Sequence, residues 1–234
     1  MAGVALELSA NWGVLEPLQT ESSLSGQVEE LKRILEKNGD LPVVLIGFSW
    51  GAWLSFLTAA GYPELVKKLV LVGSGPFREE YAENILETRR NRLNREERKE
   101  VNDLMENLMN PSVADKDKIL SRIGYLFSRA DSFDPSPLET EDIKVRFDIH
   151  DSVWKEAAQL RQSGELLKLG ARIRCQVVAI HGDYDPHPSE GVEKPLSGIL
   201  KRFRFILMKN CGHMPWVERQ AREEFFKILR ENLI

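Results

Sequence analysis

The sequence holds only two cysteines, Cys175 and Cys211, among 234 residues. Two thiols do not make a disulfide framework of the kind that staples small secreted domains. Both stand in segments that read as core or core edge, so they are expected to be reduced, in a cytoplasmic protein. Long apolar runs are also missing. No stretch approaches the roughly 18 consecutive apolar residues that a membrane span needs, so no membrane partner is expected. The amino-terminal MAGVALELSANWG has no basic region and only a short apolar part, which argues against a secretory leader. Positive charge is not in excess: 32 Lys and Arg stand against 36 Asp and Glu, a net charge of -4. A broad positive field able to hold a polyanion is therefore lacking, and no nucleic-acid partner is expected. Histidine is scarce, with four in all (His150, His181, His187, His213). They and the two cysteines form no closely spaced ligand cluster, so neither a metal nor a cofactor is expected, although HGDYDPH can take up a metal adventitiously.

What is present is ordinary for a folded chain, 42% hydrophobic and 29% charged residues, enough for one sizeable core. VALELS at 4–9 alternates and reads as a short strand. The Gly-, Pro- and Ser-bearing stretch 11–26 reads as a loop. In QVEELKRILEK, residues 27–37, Val28, Leu31, Ile34 and Leu35 share one helical face. PVVLIG is a continuous apolar burst suited to a central strand buried on both faces. An Ala- and aromatic-rich helix over 50–60 follows, then a second buried strand, KKLVLVGS. From 78 to 165 the texture is charged and its period helical, with candidate helices over 93–109, 115–130 and 153–162 and a loop at 131–140. Strand texture returns in CQVVAIHG and FRFILM, separated by a modest helix over 189–200, and a helix over 215–230 closes the chain. This order predicts an α/β fold: a mostly parallel sheet with helices on both faces. Its core would comprise 1–77 and 166–234, interrupted by a helical insertion over 78–165.

Three strand ends carry chemistry. GFSWGA, residues 47–52, lies between a strand and a helix. Gly47 and Gly51 give room for a tight turn, on which Ser49 would project its hydroxyl above the sheet. The amide of Trp50 could then face a developing oxyanion. A glycine-rich bend with no chemistry is the plainer alternative. A serine hydroxyl needs a base. His213, in NCGHMP between the last strand and the last helix, is best placed to be one. His181 sits at a strand end, His187 between two prolines, and His150 in the insertion. A base needs an orienting acid, and Asp183 and Asp185 in HGDYDP both follow a buried strand. Spacing alone does not choose between them. The order Ser, Asp, His, each after a parallel strand, converges on the carboxyl edge of one sheet, where open α/β sheets place their sites.

These motifs together resemble the α/β-hydrolase fold superfamily, over roughly residues 4–234. GFSWGA is similar to its nucleophile elbow, in the Ser-Trp-Gly form of proline iminopeptidase-like members. HGDYDPHP resembles the acid loop, and the family's G-x-x-D pattern implies Asp185 as the acid, with Asp183 second. CGHMPWVE resembles the histidine loop, implying His213 as base and Glu218 as a helix-supporting residue. The helical insertion matches the family's lid in position. The resemblance also aligns VALELSANWG with the fourth family strand, so that the first strands and the usual His-Gly oxyanion loop are absent. The amide of Trp12 or Gly13 is then the candidate second oxyanion donor, against the plainer reading of ANWG as a surface loop. An unpaired sheet edge left by missing strands would invite a homodimer. Phe77, Tyr81, Leu126, Phe127 and Trp154 are candidates to line the substrate pocket, although packing between helices explains most of them. Glu79 and Glu80 would hold the ammonium group in an aminopeptidase, unless they only start a solvated helix. The basic run RRNRLNREER reads most simply as a solvated face. The implied activity is metal-independent hydrolysis of a small ester, thioester or amide through an acyl-serine. An iminopeptidase-like aminopeptidase acting on short peptides, or a weakly active binding protein of the same fold, is the alternative.

Overall fold

The computed structural model describes residues 1–137 and 145–233; the part of the expected 131–140 loop from 138 onward lies outside them. Along the chain run α1 (Ala2–Ser9), α2 (Leu24–Asn38), β1 (Val43–Phe48), α3 (Trp50–Gly61) and β2 (Val66–Val72). The insertion follows, with α4 (Ile85–Arg92), α5 (Arg95–Met109), α6 (Lys116–Ala130) and α7 (Phe147–Gln162). The chain ends with α8 (Glu165–Lys168), β3 (Gln176–Gly182), α9 (Glu190–Ile199), β4 (Phe203–Met208) and α10 (Arg222–Glu231). Among the described residues four strands form one parallel sheet, in the order β1-β2-β3-β4.

Alternation along the inner strands builds two cores. Leu69, Leu71, Val177 and Ala179 point to one face, where Leu31 and Leu35 of α2, Trp53 and Phe56 of α3, Leu166 and Leu196 cover them. Val70, Val72, Val178 and Ile180 point to the other, against Phe225 and Leu229 of α10 and Val4 and Leu8 of α1. Strands covered on both faces read as unbroken apolar runs for this reason. The insertion keeps a small core of its own from Leu93, Val101, Leu126 and Ala130, and its helix α5 opens on a reciprocal cap between Asn94 and Glu97.

Two expectations are corrected. VALELS is not a strand but most of α1. Its alternation also places Val4 and Leu8 four residues apart, on one helical turn. That face packs on α10, while Leu6 is exposed and Glu7 pairs with Arg222 and Arg230. The match of this segment to a family strand therefore falls. Likewise, β1 is not central: among the described residues it pairs only with β2 and forms one edge of the sheet. Its apolar run is explained by helices on both faces, with Leu45 in one core and Val44, Ile46 and Phe48 against the other. Coverage of the faces says nothing of how many strands stand alongside.

The turn from β1 into α3 is the sharpest bend that positions the site. Ser49 sits at φ 52° and ψ -117°, a region that costs a non-glycine residue about 1–3 kcal/mol. A Cβ at Gly47 would lie 2.2 Å from the carbonyl oxygen of Gly51 and 2.6 Å from Ser55 Oγ, whereas one at Gly51 would meet nothing within 4 Å. Only the first glycine is demanded by sterics. Gly47→Ala is expected to lower stability by about 1–3 kcal/mol through overpacking. Gly51→Ala should be neutral, or stabilising by up to about 1 kcal/mol through helix propensity. Urea denaturation of both variants checks the contrast. The open edge of β1 is where the proposed homodimer would pair; sedimentation should show mass rising with concentration, and a monomer throughout would remove that proposal.

Candidate active site

The carboxyl ends of the strands are joined by a chain of backbone bonds. Ser49 N donates to Val72 O at the end of β2 (3.1 Å), and Gly73 N donates to Ile180 O of β3 (3.0 Å). Gly73 has φ 50°, and a Cβ there would stand 2.7 Å from His213 O and 3.0 Å from His213 Nδ1. Glycine at 73 is thus what lets the histidine loop close over the end of β2. Phe48, the residue before Ser49, holds its ring 4.7 Å from the His213 imidazole. Ser49 Oγ makes no capping bond to α3. The Ala52 amide already donates to Ser49 O (3.0 Å), but the amides of Trp50 and Gly51, ahead of it, precede the helical ladder and can serve an anionic oxygen.

Of the two aspartates, Asp185 meets His213, the candidate base: its Oδ2 accepts from His213 Nδ1 at 2.7 Å. Asp183 instead accepts from the amide of Cys211 (3.3 Å) and pairs with Lys209 (3.6 Å), which is turn-forming work. Asp185 Oδ1 accepts from both the backbone amide (2.9 Å) and Nδ1 (2.7 Å) of His187. His181 Nε2 lies 3.5 Å from Oδ2 and donates to His187 O at 2.8 Å. His187 was not singled out from sequence; the available signal was its place two residues after the acid.

Behind His213 a second buried carboxylate organises the backbone. Glu218 is fully buried. Its Oε1 accepts from the amides of Phe133 (2.8 Å) and Gly212 (2.9 Å), and its Oε2 from that of Asp134 (2.7 Å). Glu218 was expected to support a helix; its side chain bonds loop amides instead, while its carbonyl accepts from Arg222 N (2.9 Å), where α10 begins after a short 3₁₀ turn over Pro215–Val217. His213 N donates to Asp131 O (2.9 Å), and the Asp131 carboxylate is held by Arg89 through bonds of 2.6–3.1 Å. Arg92 donates to Ala130 O (3.1 Å) and Tyr184 O (2.7 Å) and covers the Tyr184 ring. Two arginines of the run read as a solvated face are therefore braces of the site.

The remaining candidates fall mostly into packing. Phe77 is buried against Phe56 and Trp53, and Leu126 lies in the core of the insertion. Phe127 lies beneath the Arg89 guanidinium. Tyr81 packs over Gly191. Glu79 is paired with Arg161 (2.7 Å) and Glu80 lies near Arg78 (3.8 Å), so the first already has its cation. Trp154 of α7 is partly exposed, stacks on Trp53 (5.9 Å) and meets Trp50 edge-on (6.3 Å). Like Phe77 it packs on α3, but from the exposed side. Trp12 is not a free donor, because its amide bonds to Leu8 O (3.1 Å) at the end of α1. Gly13 is exposed beyond it.

Electrostatics follow from burial. Burial, the largest influence on Asp185, pushes its pKa up, but His213, His181 and His187 more than offset it and hold the carboxyl well below its ordinary 3.8. Burial pushes His187 below the ordinary 6.5, with Asp185 opposing, and lowers His150 likewise. Cys211 is pushed up by burial, then by Glu218 and the nearby aspartates, so this thiol is inert. A histidine with a depressed pKa contributes stability that is complete above 6.5 and is lost as pH falls below it. The depressed Asp185 contributes above 3.8 and is lost only at lower pH. Melting temperature should therefore hold from pH 8 to 7 and begin to fall below pH 6.5. The fall should be shallower in His187→Gln, as thermal melts across pH would show.

Comparison with known proteins agrees with this architecture. Residues 17–220 match the family model described as alpha/beta hydrolase fold. Over 55 residues the chain is 38% identical to ethanol acetyltransferase 1 of Cyberlindnera jadinii, a match covering 24% of this chain and spanning only 16% of that protein's length. In structure it is similar to the proline iminopeptidase of Mycobacterium smegmatis, with a TM-score of 0.57 and 16% identity over 91% of this chain and 71% of the other. It is also similar to the monoacylglycerol lipase of Paleococcus ferrophilus, with a TM-score of 0.55 and 19% identity over 92% and 76%. With a parallel sheet, an elbow turn after β1 and a family match across most of its length, this chain belongs to the alpha/beta hydrolase fold family.

Proposed function

We propose that the protein is a metal-independent serine hydrolase that cleaves a small ester, thioester or amide through an acyl-serine intermediate. The observation that carries this reading is the backbone of Ser49. A non-glycine residue is held at φ 52° and ψ -117° with its hydroxyl unused by the helix it precedes, and stored strain of that kind is a mark of functional positions. Ser49 Oγ attacks the acyl carbon while His213 Nε2 takes its proton. Asp185 accepts from Nδ1 at 2.7 Å, which fixes the tautomer that leaves Nε2 free to act as base. The Trp50 amide donates to the oxyanion. The imidazolium then gives its proton to the departing alcohol, thiol or amine, and water repeats the sequence to release Ser49.

The Trp12 amide is engaged at the end of α1, which leaves the amide of Gly13 as the remaining candidate for the second oxyanion donor. One donor is worth roughly 2.7–4 kcal/mol, or 10²–10³ in turnover, so slow catalysis is part of this proposal. The helices of the insertion act as a lid, with the exposed Trp154 of α7 as the candidate substrate contact. The aminopeptidase alternative is weakened by the pairing of Glu79 with Arg161.

A fluorophosphonate probe tests the nucleophile. The parent protein should be labelled and Ser49→Ala should not. Turnover of p-nitrophenyl esters should fall by about 10⁴–10⁶ in the serine variant. A folded parent that is never labelled, at any pH, would sink the reading.

A further inference from the structure

His187 takes no part in the acyl transfer just described, yet it is buried on the same carboxylate as the base. Asp185 lies between two imidazoles, with Oδ1 2.7 Å from Nδ1 of His187 and Oδ2 2.7 Å from Nδ1 of His213. The two rings lie 4.7 Å apart. One ligand atom from each of Asp185, His187 and His213 falls within 4.8 Å of the others, and all three residues are buried. We propose that these three residues form a binding site for a late first-row divalent cation such as zinc, and that filling it switches the hydrolase off. The regulatory half of this inference rests on the serine-hydrolase reading; the binding half does not.

The geometry is close to what the ion needs. Zinc bonds nitrogen and oxygen at about 2.0–2.2 Å, so ligand atoms around a tetrahedral ion stand roughly 3.3–3.6 Å apart. The 2.7 Å contacts of Asp185 would open and the widest separation would close, both by rotating side chains on loops. Two imidazoles with one carboxylate suit zinc, and water fills a fourth position. Charge favours the ion as well. The bonded partners of Asp185 among the described residues are imidazoles and an amide, while the nearby Arg89 is committed to Asp131. A buried carboxylate that holds an imidazole on each oxygen is a good cation anchor.

Inhibition follows from the tautomer. In the tautomer that serves as base, each imidazole carries its one hydrogen on Nδ1, directed at Asp185. A metal on Nδ1 takes the place of that hydrogen, which moves to Nε2 of the same ring, so no net proton is released. His213 Nε2 then bears a hydrogen and can no longer accept one from Ser49. Removing the metal restores the base, and the change is reversible.

The test uses the full chain freed of metal with a chelator. Zinc is titrated while heat and the ¹⁵N imidazole resonances are followed, and ester turnover is measured in parallel. The expected result is one equivalent bound, with the Nδ1 signals of His187 and His213 shifted and those of His150 unmoved. Turnover should fall with occupancy and return on adding chelator. His187→Gln should bind zinc at least about 10-fold more weakly, with inhibition of its own basal turnover, whatever its level, displaced by the same factor. Ser49→Ala should bind zinc as the parent does. Should the glutamine variant fail to fold, the parent resonances decide alone. Zinc that shifts only His150, or nothing, or that inhibits the folded His187→Gln equally, would overturn the proposal. Shifts at His187 and His213 in a protein that no fluorophosphonate labels would keep the metal site and discard the hydrolase reading; labelling with no such shifts would do the reverse.

Discussion

The site depends on the Asp185 carboxylate. It is buried at the end of β3, where an isolated negative charge would cost several kcal/mol, and it stays ionised because imidazoles on two loops and one backbone amide converge on it. That requirement fixes much else. The turn over 183–188 must bring His187 back to its own acid, and the loop after β4 must bring His213 across the sheet edge. Gly73 must leave space for it. The apolar strands beneath supply the rigid floor that lets these loops be placed to within a hydrogen bond.

Most of the chain's order was legible because its signals are local and redundant. The inner strands are unbroken apolar runs, since both faces are covered. The helices of the insertion declare themselves through 3.6-residue periodicity and, at Asn94 and Glu97, through a capping box. The three site motifs were legible too, because glycines and prolines mark the turns that carry Ser49, Asp185 and His213. Between Asp183 and Asp185 spacing was silent, and the geometry differs sharply: one caps a loop amide, the other meets His213.

What was not legible depends on partners distant in sequence. VALELS has six residues, too few to separate a period of two from one of 3.6, and only the face offered by α10 decides it. The edge position of β1 is invisible in its side chains because the sheet edge is backbone. Arg89 and Arg92 look solvated within their own helix; their acceptors lie at Asp131, Ala130 and Tyr184. His187 carries no motif of its own, and its meaning comes from the carboxylate two residues earlier.

Glu218 bonds to amides on both sides of the boundary between insertion and core, and the carbonyl of Asp131 holds the amide of His213. The insertion is therefore not an interchangeable cassette. A helical segment grafted here from a relative would have to bring an acceptor for the amide of His213 and two donors for Glu218. Without them it would fold over a sheet whose base had lost its seat. Diversification of substrate range by swapping this segment is constrained at the loop after α6, well inside the insertion, and not only where it joins the core.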